Sequence, residues 1–211
     1  MFSVIFDMDG TLLDTQRICV PAWDYAGERQ GVEGMGRYIP CVCGMNAQGW
    51  GAYVLERHPQ LDMERFNSDA RSYVLEHLTI RFRAGARELH EYLWERGVKT
   101  AIASGSSHAS IEHHLREVGV YERFDAVVGG HDVERGKPAP DIFLLAARKI
   151  GADPSECFVF EDSENGVRSA HAAGMRVIGI PDLVPFSDEV RELMFAELSD
   201  MSKAIEIFEK L

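Results

Sequence analysis

The run Val4-Ile5-Phe6-Asp7-Met8-Asp9-Gly10-Thr11-Leu12-Leu13-Asp14-Thr15 decides the fold. Its first three residues are apolar and β-prone, the make-up of a short buried strand. Alternate residues of a strand share a face, so Asp7 and Asp9 leave the strand end on one side with Met8 between them. Gly10 lets the chain turn, and the Thr11 hydroxyl can fix that turn by a local hydrogen bond. Two close carboxylates repel unless a cation or a shared proton relieves the charge. The pair is therefore a seat for Mg²⁺ combined with acid–base work. Taken alone, it also reads as an Asp-Gly surface turn.

Downstream the pattern changes. Residues 16 to about 80 hold no convincing strand, and the spacing predicts helices over Ile18–Gln30, Ala47–Arg57 and Met63–Leu78, separated by glycines and the His58-Pro59 break. From Gly85 the rhythm becomes regular. Helices are expected over Ala86–Arg96, Ser107–Val118, Pro140–Ile150 and Glu164–Ala173, and strands over Lys99–Ala103, Asp125–Val128, Cys157–Phe160 and Val177–Ile180. Two more helices, Val190–Leu198 and Ser202–Leu211, close the chain. Strands alternating with helices of ten or more residues mean βαβ units and a parallel sheet. The expected fold class is α/β: a Rossmann-like three-layer core over residues 1–15 and 80–211, interrupted by a helical cap over 16–79.

The bulk composition limits the alternatives. The 211 residues suit one large domain or a core with an insert, and 45% hydrophobic and 27% charged residues are ordinary for a soluble globular chain. No apolar run approaches the roughly 18–20 residues needed to cross a bilayer, and no signal-peptide pattern opens the chain. Cys19, Cys41, Cys43 and Cys157 form no disulfide framework, and Cys41-x-Cys43 lacks a second metal-ligand pair, which points to a reducing cytoplasm. A net charge of −12 argues against nucleic acid and anionic membrane as partners. It opposes an anionic substrate only weakly, because charge is screened beyond about 8 Å at physiological salt. The eight acids of residues 182–211 read as a solvated helical face.

In open α/β sheets ligands sit outside the carboxyl ends of the strands. Here each strand ends in polar residues. The first ends in Asp7 and Asp9, the next in Ser104-Gly105-Ser106-Ser107, where hydroxyls and backbone amides open a helix and make an anion seat. The following one leads through Gly129-Gly130-His131-Asp132 to Arg135-Gly136-Lys137-Pro138, and the next ends in Glu161-Asp162-Ser163. Singly, these are a helix cap, a surface lysine and a solvated acidic pair. Together they bring carboxylates for a metal, a small-residue loop for phosphate and one lysine to one edge.

This set resembles the haloacid dehalogenase superfamily, in its phosphatase and β-phosphoglucomutase-like branch with a helical cap. The matching text is Asp7–Thr15, Ile102–Ser106, Gly136–Phe143 and Phe160–Val167, in that order. The resemblance implies Asp7 as the nucleophile that forms an aspartyl-phosphate, and Asp9 as general acid and then base. It implies Mg²⁺ as cofactor, bound by Asp7, by the Asp9 carbonyl and by Asp162, with Glu161 acting directly or through water. Ser104 and the Met8 and Gly105 amides would bind phosphoryl oxygens, with Lys137 neutralising charge beside Asp7. Phosphoryl transfer needs chiefly positioning and charge neutralisation, which these groups supply.

Within that family Asp9 and Asp162 argue against a metal-free dehalogenase. The first lysine of the chain is Lys99, already in the core, so no cap lysine exists for a phosphonatase. The rival is a β-phosphoglucomutase-like mutase, which must grip a second phosphate. Trp23 matches those enzymes, but Cys19 stands where they carry a histidine, Ala47 falls near their phosphate-binding arginine, and their cap lysine has no counterpart. Arg17, Arg37 or Arg71 are the possible substitutes. The favoured reading is a phosphatase for a small phosphorylated metabolite, acting as a monomer. A catalytically silent binding protein of the same fold is the distant alternative. Gly44, Met45 and Asn46, before a cap helix, are the candidate specificity element; Trp23, Tyr25, Trp50 and Tyr53 read as cap core, and His131 as structural.

Overall fold

The computed structural model describes residues 2–42 and 47–211. Six strands form one parallel sheet: β1 (Ser3–Phe6), β2 (Thr100–Ala103), β3 (Ala126–Val128), β4 (Cys157–Glu161), β5 (Arg176–Gly179) and β6 (Ala196–Glu197), in the order β3-β2-β1-β4-β5-β6. The register sets Ile5 opposite Ala101 on one side and Val159 on the other. β1 is thus central, and its carboxyl end opens beside those of β2 and β4.

Both faces of the sheet are covered, which is why its strands read as continuous apolar runs rather than alternating ones. Side-chain alternation sorts them. Val4, Phe6, Ile102, Phe158, Phe160 and Ile178 pack on one face against α5 (Ala86–Glu95), α6 (His108–Glu117) and α10 (Ala204–Phe208). Ile5, Ala101, Ala103, Val159 and Val177 pack on the other against α7 (Asp141–Ile150), α8 (Glu164–Ala172) and α9 (Asp188–Arg191). Side-chain caps fix the helix starts next to the strand ends: Ser107 Oγ accepts the Ser110 amide at 3.3 Å, and Ser163 Oγ the Gly166 amide at 3.0 Å.

Between β1 and β2 lie α1 (Cys19–Glu28), α2 (Ile39–Val42), α3 (Ala47–Arg57) and α4 (Met63–His77). These helices share a third apolar cluster built around Trp23, Met35, Val54 and Phe66. Two chain crossings tie this block to the sheet. Leu13 bridges antiparallel to Phe82, the Asp14 amide donates to the Arg81 carbonyl at 2.8 Å, and the Arg83 amide donates to the Leu12 carbonyl at 3.0 Å.

Two expectations for the C-terminal region are corrected. Val190–Leu198 is not a helix: α9 ends at Arg191, and β6 pairs Ile178 with Ala196 and Gly179 with Glu197. The open edge of β5 offers backbone partners that a helix there would forgo, and Phe195 gains an edge-on contact with Phe158 at 5.5 Å. The terminal helix is also shorter, a 3₁₀ turn over Met201–Lys203 followed by α10. The acids of this region accordingly do not form one solvated face: the Asp182 side chain is fully buried, and Asp200 accepts the Ser202 amide at 2.8 Å. Among the described residues no helix is long and apolar enough to cross a membrane.

Candidate active site

Four strand ends meet at one cleft of about 710 Å³, lined by Asp7, Asp9, Ser104, Gly105, Lys137 and Asp162 among others. Lys137 is the hub of its floor. Its ammonium donates to Asp7 Oδ1 at 2.6 Å, to Glu161 Oε1 at 2.5 Å and to the Ala103 carbonyl at 3.2 Å. That uses all three of its donors. Burial pulls the Lys137 pKa down, but the two carboxylates outweigh it and leave the pKa raised, so the charge persists.

The carboxylates outnumber that cation. Oxygens of Asp7, Glu161 and Asp162 lie within 4.8 Å of one another, all three residues buried. Burial is the main reason the Asp7 pKa is pushed up to about 7; Glu161 and Asp9 add to the rise and Lys137 opposes it. Asp162 is raised well above the usual carboxylate range by burial first, then by Glu161 and Asp7. Three buried carboxylates against one ammonium leave a surplus of two negative charges. An oxygen-rich set of that charge fits a hard divalent cation, so the residues present suit Mg²⁺ chemically.

The turn after β1 sets this spacing. Gly10 has φ of +85°, and a Cβ added there would lie 2.5 Å from Asp162 Oδ2. Only glycine lets the two strand ends approach this closely. Thr11 Oγ1 then donates to Asp162 Oδ1 at 2.8 Å. At Glu161 the other oxygen, Oε2, accepts from the Asp162 and Ser163 amides and the Ser163 hydroxyl, each at 3.0 Å. A side chain at Gly166 would collide with this carboxylate.

Asp9 is held apart from that cluster. Its Oδ1 accepts Thr15 Oγ1 at 2.6 Å, and its Oδ2 accepts Ser106 Oγ at 2.7 Å and Ser104 Oγ at 3.2 Å. Its backbone carbonyl accepts Gln16 Nε2 at 2.6 Å. The structure thus joins Asp7, Glu161, Asp162 and Lys137 directly and sets Asp9 with Ser104 beside them. Met8 is fully buried behind the turn, with its carbonyl accepting the Leu13 amide at 2.9 Å, and Gly105 is exposed at the cleft.

Gly44, Met45 and Asn46 lie outside the described residues, as does Cys43. Trp50 departs from its reading as cap core alone, because it both packs on Trp23 and lines the cleft. His131 likewise is exposed and lines the cleft rather than serving only the loop. Cys19 lines the cleft as a thiol whose pKa is pushed up to about 11 by burial and by Asp9, which keeps it protonated and unreactive. Sequence reading gave no role to Thr15 and Gln16 and placed Ser106 only in the anion seat, yet these three hold Asp9 together with Ser104. Thr15 and Ser106 stand inside the quoted motifs, and Gln16 carried no signal.

With this geometry in hand, the comparison with known proteins is direct. Residues 3–174 match the family model for haloacid dehalogenase-like hydrolases. The chain belongs to that family. This haloacid dehalogenase-like hydrolase is 34% identical over 188 residues to fructose-1-phosphate phosphatase YqaB of Escherichia coli, covering 84% of this chain and 95% of that one. It is 34% identical over 183 residues to the bifunctional riboflavin kinase/FMN phosphatase of Arabidopsis thaliana, over 85% of this chain, and spans 48% of that longer protein. Among solved structures, a putative β-phosphoglucomutase from Thermotoga maritima superposes with a TM-score of 0.78 at 25% identity, over the whole of both chains.

Proposed function

We propose that this hydrolase is a Mg²⁺-dependent phosphatase that cleaves a small, sugar-phosphate-like ester through an aspartyl-phosphate on Asp7. The reading rests on the buried trio of carboxylates that shares a single lysine at the floor of the cleft. Asp7, Asp162 and the Asp9 carbonyl would hold Mg²⁺, with Glu161 behind them, since both its oxygens already accept bonds. When bound, the ion offsets the charge of the phosphoryl oxygens and of Asp7.

The chain's own groups then divide the work. Lys137 orients one Asp7 oxygen and leaves the other to attack phosphorus. The bond from phosphorus to the leaving alcohol breaks, and Asp9 gives that alcohol its proton. Asp9 then takes a proton from a water as it attacks the same phosphorus, which releases phosphate and restores Asp7. Ser104, now bonded to Asp9, turns its hydrogen to a phosphoryl oxygen, beside the Gly105 and Met8 amides. Residues 16–79 act as a cap over the site, and residues 1–15 with 80–211 form the catalytic core.

The lining of the cleft favours a phosphatase over a mutase. Among its described residues Lys137 is the only lysine or arginine, and its donors are already used. The three arginines that might have gripped a second phosphate do not line it. Arg17 bonds Asp182 at 2.6 Å, Arg37 bonds the Tyr38 hydroxyl at 3.1 Å, and Arg71 is exposed.

The test is phosphate release across a panel of phosphorylated metabolites. β-Glucose 1-phosphate is also assayed for glucose 6-phosphate, with and without the 1,6-bisphosphate. Free phosphate from one or a few esters, abolished by EDTA and restored by Mg²⁺, is expected. Fast isomerisation with little phosphate would replace the phosphatase by a mutase, and full activity after thorough chelation would remove the metal.

A further inference from the structure

The catalytic floor accounts for only one end of the cleft. Beyond it the walls differ in chemistry. The helical block contributes Trp50 and Cys19, and the loop after β3 contributes His131, Val133 and Glu134. Trp50 is half-buried, and its indole is backed by Trp23 at 5.2 Å and a 49° tilt. Trp23 in turn meets Phe66 edge-on at 5.4 Å, inside the apolar cluster of the helical block. A ring braced in this way is a fixed apolar platform that needs little ordering when a ligand arrives.

The wall formed by the loop after β3 offers polar atoms but no fixed positive charge. His131 and Glu134 stand exposed at the mouth. Arg135, their neighbour, points its guanidinium to Asp141 through bonds of 3.1 and 3.0 Å. A second anionic group on the substrate would thus meet Glu134 and no lysine or arginine among the described lining residues. Desolvating such a group without a partner is costly, whereas hydroxyls find donors and acceptors on that wall.

We infer that Trp50 is a specificity-determining residue, the platform on which the ring of an uncharged leaving group packs while its hydroxyls face His131 and Glu134. The substrate class is then a monophosphate ester of a neutral, ring-bearing polyhydroxy alcohol, selected over carboxylated and doubly phosphorylated esters. This rests on the phosphatase reading above.

The experiment measures kcat and KM with Mg²⁺ for a hexose monophosphate, a nucleoside monophosphate, glycerol 3-phosphate and phosphoglycolate. Wild type is expected to favour a ring-bearing ester over both others by about tenfold or more in kcat/KM. Trp50→Ala should cut the ratio of ring ester to glycerol 3-phosphate by about tenfold, mainly through KM, and Trp50→Phe should recover most of it. Trp94→Ala, exposed on α5 under the Arg123 guanidinium and not among the described residues lining the cleft, should leave the ratio as it is. An unchanged ratio in Trp50→Ala, or a preference for phosphoglycolate in wild type, overturns the proposal and leaves the phosphatase standing. Calorimetric binding to Asp7→Asn separates the two readings. Ring esters that bind without being hydrolysed by wild type, and about tenfold more weakly when Trp50→Ala is added, keep Trp50 and remove the phosphatase. Neither turnover nor binding of any ring ester removes the proposal.

Discussion

Two ion clusters in this chain use the same ingredients in different proportion, one with its acids in excess and one in balance. Under the cleft, Asp7, Glu161 and Asp162 share one ammonium, that of Lys137. At the crossings into the helical block, one carboxylate joins two guanidiniums, the first of which, Arg17, also lies 3.5 Å from Asp14. Asp182, with no exposed side-chain surface, accepts Arg17 at 2.6 Å and Arg83 at 2.5 Å, and Arg83 also donates to the Pro181 carbonyl at 3.0 Å. Arg17 stands where the chain enters the block and Arg83 where it returns, so Asp182 fastens both crossings to the loop after β5. Its charge is closed from within. The charge of the first cluster is not, and an unmatched buried charge raises the pKa of its members until something binds. On the proposed function, that difference separates a structural clamp from a place for chemistry, although both are called ion pairs.

The largest test of the contrast is Asp7→Asn. It removes the proposed nucleophile and one of the surplus charges at once. Turnover is expected to fall by about 10⁴-fold or more, because the amide cannot form the covalent intermediate. Stability in metal-free buffer should hold or rise, since Lys137 keeps Glu161 and one repulsive neighbour is gone. A pure variant with near wild-type turnover would sink the covalent mechanism. A variant that unfolds at much lower temperature would make the cluster a structural one.

At the Asp182 clamp the opposite outcome is expected. Asp182→Ala strands Arg83, whose side chain is 15% exposed, while Arg17 at 56% turns to water. The loss should be about 3 kcal/mol, the low end for breaking a buried pair, read by denaturant unfolding. Asp182→Asn keeps an acceptor and should lose less. An Asp182→Ala protein as stable as wild type yet inactive would place this carboxylate in the chemistry and dissolve the distinction.

The two clusters also differ in how they could be read from residue order. The floor of the cleft was legible because each of its parts is a local motif at a strand end or in the loop that follows one: Asp7-x-Asp9-Gly10, Ser104-Gly105, Lys137-Pro138 and Glu161-Asp162. The parallel sheet then brings strand ends together with no further information. The Asp182 clamp was illegible, since its partners lie 165 and 99 residues away and no short pattern marks them. The same holds for Thr11 on Asp162, 151 residues apart. β6 was missed for a different reason. Val190, Leu193, Met194 and Leu198 fit a helical spacing, and only the unpaired edge of β5 decides for a strand. Trp50 was read as core from its spacing with Tyr53 and Val54, and that spacing cannot say that the side chain also lines a cleft.

His90 gives the mildest test, as a buried polar group with neither kind of partner. It is 1% exposed on α5, neither ring nitrogen has a hydrogen-bond partner among the described residues, and its ring lies 4.8 Å from that of Phe124. Burial lowers its pKa from 6.5 to about 4, with Arg123 and Arg87 pushing the same way. The folded protein therefore keeps the imidazole neutral, while the unfolded chain takes up a proton near pH 6.5. The stability this confers is complete above pH 6.5 and is lost as the pH falls towards 4. At pH 5 the loss is about 2 kcal/mol, from roughly 1.36 kcal/mol per pKa unit. Unfolding of wild type and His90→Leu, compared between pH 7.5 and 5, reads this directly: the variant should lose about 2 kcal/mol less. Equal acid sensitivity in the two proteins would mean that carboxylates protonating at lower pH, and not an unpartnered ring, set the acid limit of the fold.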